Sequence, residues 1–446
     1  MTDASPEGLD SRRTAYQVLR RVHAEDAWAA PVIDTALRRS GLSARDRAFA
    51  TNLAYETLRW EGTLDWALAT VVSRPLPEVD PDILDILRMG AWQLLYGATV
   101  DHAAVATAVD VARAEIGQQA TGFVNGVLRN LARTKHQLPW PAEDSDRGLG
   151  LRTGYAEWIV AAARARFAGD AVAVLEAGNT PPGVTLRALG DPQALLAELT
   201  AQGFPAESGQ LAPEAVRIGG VDPAGLAAVA QGRAIVQDEA SMVVARCAAA
   251  GRGSGDWSAL DVAAAPGGKS THLAQLGGWV AAGELHPGRA ARMAATVARL
   301  GMSDRVHTIV ADGTRPPWPP ESFDVVLLDA PCTGLGVVRR RPDVRWRRAA
   351  EDVRRLAALQ SQLLDGAASA VRPGGTLLYS VCTWTVEETA GVVDGFLAMS
   401  GDRFEVEDLA ITAPAVAPSR DPGVQLTPAA HGTDGMYLCR FRRSAE

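Results

Sequence analysis

Beyond Gly251 the chain alternates short apolar runs with helix-length segments, and that alternation restricts its fold more than any other feature. "SALDVAAA", "WVAAGEL", "RVHTIVAD", "FDVVLLDAP" and "TLLYSVC" are apolar along most of their length and end near a small or polar residue. A strand with one wet face would alternate apolar with polar. Continuous apolar runs separated by helices predict an α/β domain with a mostly parallel, doubly wound sheet covered on both faces. One covering helix is visible in "AEDVRRLAALQSQLLDGAASAV", where Leu356, Leu359, Leu363 and Ala367 share a stripe. "DGMYLCRFRR" predicts a closing antiparallel strand.

The N-terminal part has a different period. From Ser11 to about Arg133 apolar residues recur at helical spacing, as in Ala15, Val18, Leu19 and Val22, with Ser11 as a candidate N-cap. Phe123, Val124, Val127, Leu128 and Leu131 repeat the pattern. Residues 1–140 therefore read as an all-α bundle. "TKHQLPWPAEDSDRGLG" breaks the periodicity with two prolines and predicts a linker. Residues 141–250 are expected to hold that linker and a small α+β subdomain around "VTLRAL", and 251–446 the doubly wound domain. A chain of 446 residues accommodates such a division.

No apolar run approaches the roughly 18 residues of a membrane span, and no apolar leader opens the sequence, so a cytoplasmic protein without membrane partners is expected. Cys247, Cys332, Cys382 and Cys439 are too scattered for a disulfide framework or a close metal-ligand set. Reduced thiols and no bound metal are expected. The net charge of −8 argues against a protein that coats nucleic acid. A local patch is supplied by "RRRPDVRWRR", where Arg339, Arg340, Arg341, Arg345, Arg347 and Arg348 stand against a single aspartate. It reads either as a contact for RNA phosphates or as a solvated helix start.

In a doubly wound sheet, ligands bind beyond the carboxyl ends of the strands. The first strand runs into Ala263, Ala264, Ala265, Pro266, Gly267, Gly268 and Lys269, small residues that let backbone approach a ligand ahead of a helix N-terminus. A phosphate-binding P-loop would need glycine where Ala263 stands, and no G-x-G-x-x-G is present in the loop. An NTP-using enzyme is disfavoured. Glu284 ends the next strand, where a carboxylate can accept hydrogen bonds from ribose hydroxyls, and Asp312 extends the rim toward an adenine amino group. Together they favour an adenosine-type cofactor. Only two of the 44 cationic residues, Lys135 and Lys269, are lysines, which suggests a point-charge role for Lys269.

An isolated cysteine is most often a small core residue. Here Cys332, preceded by Asp329-Ala-Pro, and Cys382, in "YSVCTWTVEE", follow successive strands. Carbon 5 of cytosine is too poor a nucleophile to attack a methyl donor, but addition of a thiolate at carbon 6 turns it into an enamine carbon. That chemistry needs a nucleophile, an acid at the N3 edge and help in removing the carbon 5 proton. Two thiols and Asp329 supply such a set, and the target cytosine would have to be single-stranded or flipped.

"AAAPGGKSTHLA", "DAPCTGLGVVRRRPDVRW" and "YSVCTWTVEE" resemble the motifs of RNA cytosine-5 methyltransferases that use S-adenosylmethionine. "SARDRAFATNLAYETLRW" in the helical block resembles the RNA-binding domain of the antitermination factor NusB. That pairing is similar to the bacterial RsmB/Sun family, which implies methylation of a cytosine in 16S rRNA. The resemblance implies a cofactor loop at Ala263–Lys269, a ribose-binding acid at Glu284 where aspartate is more usual, and further cofactor or base contacts at Asp312 and Asp329. It implies Cys382 as nucleophile and Cys332 as the thiol that helps product release. Val381, Val386 and Thr389 depart from the family's usual threonine, proline and asparagine. The same chemistry on transfer RNA, and a non-catalytic RNA-binding assembly factor, are the alternatives.

Overall fold

A computed structural model describes residues 8–219, 222–253, 256–409 and 422–445. The chain divides into two compact units. One comprises the residues up to Ala161 together with Arg340–Arg348, and the other Ala162–Arg339 with Ala349 onward.

The first unit is helical, with α1 (Leu9–Ala24), α2 (Ala29–Arg39), α3 (Ala44–Arg59), α4 (Glu61–Ala69), α5 (Pro81–Leu95), α6 (Asp101–Glu115) and α7 (Gln118–Thr134) among its helices. Helical spacing puts Ala15, Val18, Leu19 and Val22 of α1 into the core, where they meet Leu53, Leu58, Ile86, Leu87, Val124 and Leu128. α5 begins sharply because the Asp80 carboxylate accepts from Asp82 N and Pro81 occupies the first turn. Ser11 is not the cap of α1. The helix starts at Leu9 after Gly8, and the Ser11 hydroxyl donates back to Gly8 O at 3.0 Å from inside the first turn.

This unit also buries charge. Asp85 accepts from Arg20 Nη1 at 2.8 Å and faces His23 Nδ1 at 2.8 Å, while His23 Nε2 stands 3.4 Å from Glu61. Arg88 joins Glu61, Asp65 and Asp85 at 3.0, 2.7 and 3.3 Å. Burial would push the His23 imidazolium toward its neutral form, but bonds to Asp85 and Glu61 outweigh it and carry the pKa up to about 9.

The second unit holds two sheets. In the smaller, β1 (Val184–Ala188), β2 (Ala206–Ser208), β3 (Ala215–Ile218) and β4 (Ala234–Val236) lie in the order β2-β3-β1-β4, all antiparallel. The larger contains β5 (Trp257–Asp261), β6 (Gly278–Glu284), β7 (Val306–Val310), β8 (Phe323–Asp329), β9 (Val371–Val381), β10 (Phe404–Glu407), β11 (Val424–Leu426) and β12 (Met436–Arg443). Its order is β10-β12-β9-β8-β5-β6-β7, with β11 beside β12. β5 to β9 are parallel; β12, the strand expected at "DGMYLCRFRR", runs antiparallel to β9, but β10 pairs with its other side and forms that edge in its place.

The continuous apolar strands have a direct explanation in β8. Val326 and Leu328 enter a core with Leu363 and Ala367 of the helix Ala350–Ala370, while Val325 and Leu327 enter a second core with Val244 and Met293. Both faces are dry, so no polar alternation survives. Among the described residues no helix is long and apolar enough to cross a membrane.

Candidate active site

After β5 the chain winds outward through β6 and β7, then returns to place β8 on the other side of β5. That reversal opens a crevice at the carboxyl ends of β5 and β8, the place where open α/β sheets bind ligands. Asp261 closes β5, Glu284 closes β6, Asp329 closes β8, and Cys382 follows β9.

The Ala263–Lys269 loop is folded by Ala264 N donating to Gly283 O and Gly267 N donating to Ala264 O, both at 2.8 Å. Gly267 has φ of +101°, and a Cβ there would come within 2.9 Å of Met293 Cγ, so both backbone and space require glycine. Gly267 ends the loop as N-cap of the helix Gly268–Gln275 and supplies no side-chain cap. The Gln237 side chain, 7 % exposed, lies against Gly268 with neither amide atom hydrogen-bonded. Beneath the loop, burial pushes the Asp261 carboxyl up to about 7 although Ser270 Oγ donates to it at 2.6 Å.

Glu284 is buried, taking a bond from His286 N at 2.9 Å with Arg289 3.5 Å away. Asp312 lies just past β7, and bonds from the Thr314 hydroxyl and backbone N–H pull its carboxyl below the usual range. Carboxylates at the ends of neighbouring strands suit ribose hydroxyls and an amino group; an uncapped helix start beside an unpartnered amide suits a carboxylate. The residues present fit an adenosyl amino-acid cofactor.

Lys269 leaves the helix start to meet Asp329 Oδ2 at 2.7 Å, and Ser380 Oγ donates to Asp329 Oδ1 at 3.0 Å. Burial works against the Lys269 ammonium, but the Asp329 charge and hydrogen bond win and raise its pKa. The proton of this pair thus rests on lysine. Cys332 Sγ and Cys382 Sγ are 3.3 Å apart and both half-buried, whereas Cys247 and Cys439 are buried in the core. The bond to Cys382, then burial, then the charges of Glu388 and Asp329 push the Cys332 thiol well up. Burial alone carries Cys247 up to about 11 against two arginines.

The loops bearing the thiols are knitted by backbone. Gly336 N donates to Cys382 O at 2.9 Å, and Gly336 O accepts from Gly435 N at 2.8 Å. A Cβ at position 336 would stand 2.1 Å from Gly435 O, so "CTGLGVV" needs its second glycine for close approach.

The arginine run behaves differently from the phosphate patch expected of it. Arg339 donates to the carbonyls of Thr180, Gly432 and Thr433 at 3.0, 2.9 and 3.1 Å. Arg345, fully buried in the helical unit, donates to Thr153 O and Gly154 O at 3.4 and 3.0 Å, its guanidinium 3.8 Å from the Tyr155 ring centroid. Burial pushes its pKa down to about 10. Arg347 bonds Ala27 O and Asp26 and, like Arg348, lies over the Trp28 ring. Arg340 and Arg348 are partly buried, and Arg341 is the exposed member. Arg339, Arg345 and Arg347 make these contacts because guanidinium donors suit a carbonyl as readily as a phosphate.

Sequence reasoning did not find Ser380, Thr333, Gln360 or Tyr379, or the link from Arg187 of β1 to Thr271 and Gln275 beside the cofactor loop. One signal was present: Gln360 falls four residues after Leu356 and three before Leu363, a polar residue on a buried stripe.

A doubly wound sheet with this loop and these strand-end carboxylates defines an S-adenosylmethionine-dependent methyltransferase. The chain matches the family models for NusB over residues 9–133, the RsmF/B-like ferredoxin-like domain over 155–222, and 16S rRNA methyltransferase RsmB/F over 253–442. It is 39 % identical, over 97 % of its length and 96 % of the relative's, to a Mycobacterium tuberculosis protein whose name places it among methyltransferases without a substrate. It is 32 % identical to the ribosomal RNA small subunit methyltransferase B of Pseudomonas putida, over 90 % of this chain and 91 % of that one. The crystal structure of PH0851 shares the fold with a TM-score of 0.84 at 23 % identity, covering 98 % of this chain and 99 % of that chain. The chain belongs to the RsmB/F family of ribosomal RNA small subunit methyltransferases.

Proposed function

We propose that the protein methylates carbon 5 of a cytosine in 16S rRNA through a transient bond between Cys382 and carbon 6. The sulfur pair at 3.3 Å, beside the Lys269–Asp329 pair, is the observation that carries this reading. S-adenosylmethionine, when bound, supplies the methyl group and a sulfonium charge.

Cys382 thiolate attacks carbon 6, and the electron pair released from the ring at N3 takes a proton held by Lys269 and Asp329. Sequence alone gave this task to Asp329 as an acid. With the proton on Lys269, the carboxylate orients the base and the ammonium supplies the charge. Carbon 5, now nucleophilic, takes the methyl group. The carbon 5 proton is then lost to solvent with the help of Cys332, in contact with the attacking sulfur; the carbon–sulfur electron pair returns to Cys382, the N3 proton returns to the Lys269–Asp329 pair, and the ring is restored. Arg341 and the NusB-like unit are assigned to the RNA, the first as a phosphate contact that positions without specifying.

Incubation with 16S rRNA, transfer RNA and S-adenosylmethionine, followed by nucleoside mass spectrometry, tests substrate and product. New 5-methylcytidine in 16S rRNA is expected; its appearance in transfer RNA alone would move the substrate, and a different methylated nucleoside would end the proposal. Cys332→Ala should accumulate a denaturant-stable protein–RNA adduct and Cys382→Ala none. The reverse pattern would exchange the two roles.

A further inference from the structure

Glu388, six residues beyond Cys382, is fully buried behind the two thiols. Its Oε1 accepts from Thr333 N at 2.8 Å and Gln360 Nε2 at 3.0 Å; Oε2 accepts from Thr333 Oγ1 at 2.6 Å and Thr385 Oγ1 at 2.8 Å. Thr333 is the residue after Cys332, and Thr385 lies three after Cys382. Gln360 also donates to Pro331 O, just before Cys332, at 2.9 Å. With the Thr333 proton committed to the carboxylate, Thr383 Oγ1 at 2.8 Å must donate to Thr333, joining the two loops a second time. Tyr379 OH donates to the carbonyl of Glu388 itself at 2.7 Å.

All four donors to this carboxylate are neutral. They match its lone-pair sites, but burial still works against the charge and raises its pKa. A buried anion held without a cation is costly, and packing alone does not require one.

We propose that Glu388 is a positioning residue of the methyl-transfer site, whose carboxylate clamps the Cys332 and Cys382 loops together and so holds the two sulfurs in contact. This inference rests on the assignment of those cysteines as the reacting thiols. The charges around them are unequal: Glu388 and Asp329 act on Cys332, while Lys269 and Cys382 act on each other.

Phenylarsine oxide reads the geometry without RNA, because its arsenic–oxygen unit condenses with two adjacent thiols to form two arsenic–sulfur bonds and water. The native protein should bind one equivalent, bridged between Cys332 and Cys382 by peptide mass. Glu388→Ala should slow bridging about tenfold and lower kcat about a hundredfold, with KM for S-adenosylmethionine within about twofold, the pattern of misplaced reacting groups. Glu388→Asp should recover part of both. Native bridging and native kcat in Glu388→Ala would overturn the proposal. Should that variant fail to fold, Thr385→Val removes one donor while keeping shape, and an unchanged bridging rate there would overturn it instead. Slowed bridging with no adduct in Cys332→Ala would uphold the clamp and remove the covalent reading; an adduct with unaltered bridging would do the opposite.

Discussion

Two buried carboxylates, Asp85 in the helical unit and Glu388 behind the thiols, are solvated by opposite means. Asp85 is ringed by Arg20, His23 and Arg88, full charges that pull its pKa down in spite of burial. Glu388 has hydroxyls, an amide and a backbone N–H, and its pKa is raised. Compensated charge holds three helices, α1, α4 and α5, to one another. The uncompensated charge keeps its field, and that field falls on Cys332. A charge meant only for stability is cancelled locally, whereas one placed beside reacting groups is left to act on them.

Asp85→Asn offers the severest break in this comparison. Three cations would lose a shared partner in a buried site, and the loss should be about 4 kcal/mol of stability. Hydrogen exchange in α1 and α5 should accelerate while exchange in β8 and β9 stays as it was. Equal acceleration in both units would mean that the cluster's contribution is not local.

Lys269→Met strikes the Lys269–Asp329 ion pair at the strand ends. Asp329 would keep its bond from Ser380, and kcat should fall about a hundredfold with little change in melting temperature. A comparable loss of stability with native kcat would make Lys269 a structural lysine.

Much of this arrangement was legible in sequence. The apolar stripe of α1 and the dry strand β8 follow from periodicity, since burial on one face or two leaves a mark in composition at each step. Asp329, Lys269, Cys332 and Cys382 could be singled out because loops at strand ends collect ligands. Glu388's partners could not, because Thr333 and Gln360 lie 55 and 28 residues away and only the packed sheet brings them to it. The arginine run shows the limit most directly. Its charge is plain in composition, but whether Arg345 meets a phosphate or the carbonyls of Thr153 and Gly154 depends on backbone nearly 200 residues distant.

Arg345 sharpens the comparison from the cationic side, being a buried charge held mainly by carbonyls and the face of Tyr155. Arg345→Lys keeps the charge but not the planar head, and should cost about 2 kcal/mol in the helical unit with kcat on saturating RNA preserved. Selective loss of RNA affinity at unchanged stability would instead return Arg345 to the phosphate-binding role.

His23 gives the mildest effect and the one most specific in direction. Its pKa rises from an ordinary value near 6.5 to about 9 on folding, so its contribution is complete below about pH 6.5 and is lost as pH climbs through 9. The helical unit should weaken by about 2 kcal/mol between those limits, less than the full shift implies because the ring is partly exposed. His23→Gln should lower stability at pH 6 and flatten the dependence, converging on the native protein near pH 10. A native protein already flat from pH 6.5 to 9 would mean that the Arg20 and Arg88 charges satisfy Asp85 and Glu61 without help from the imidazolium.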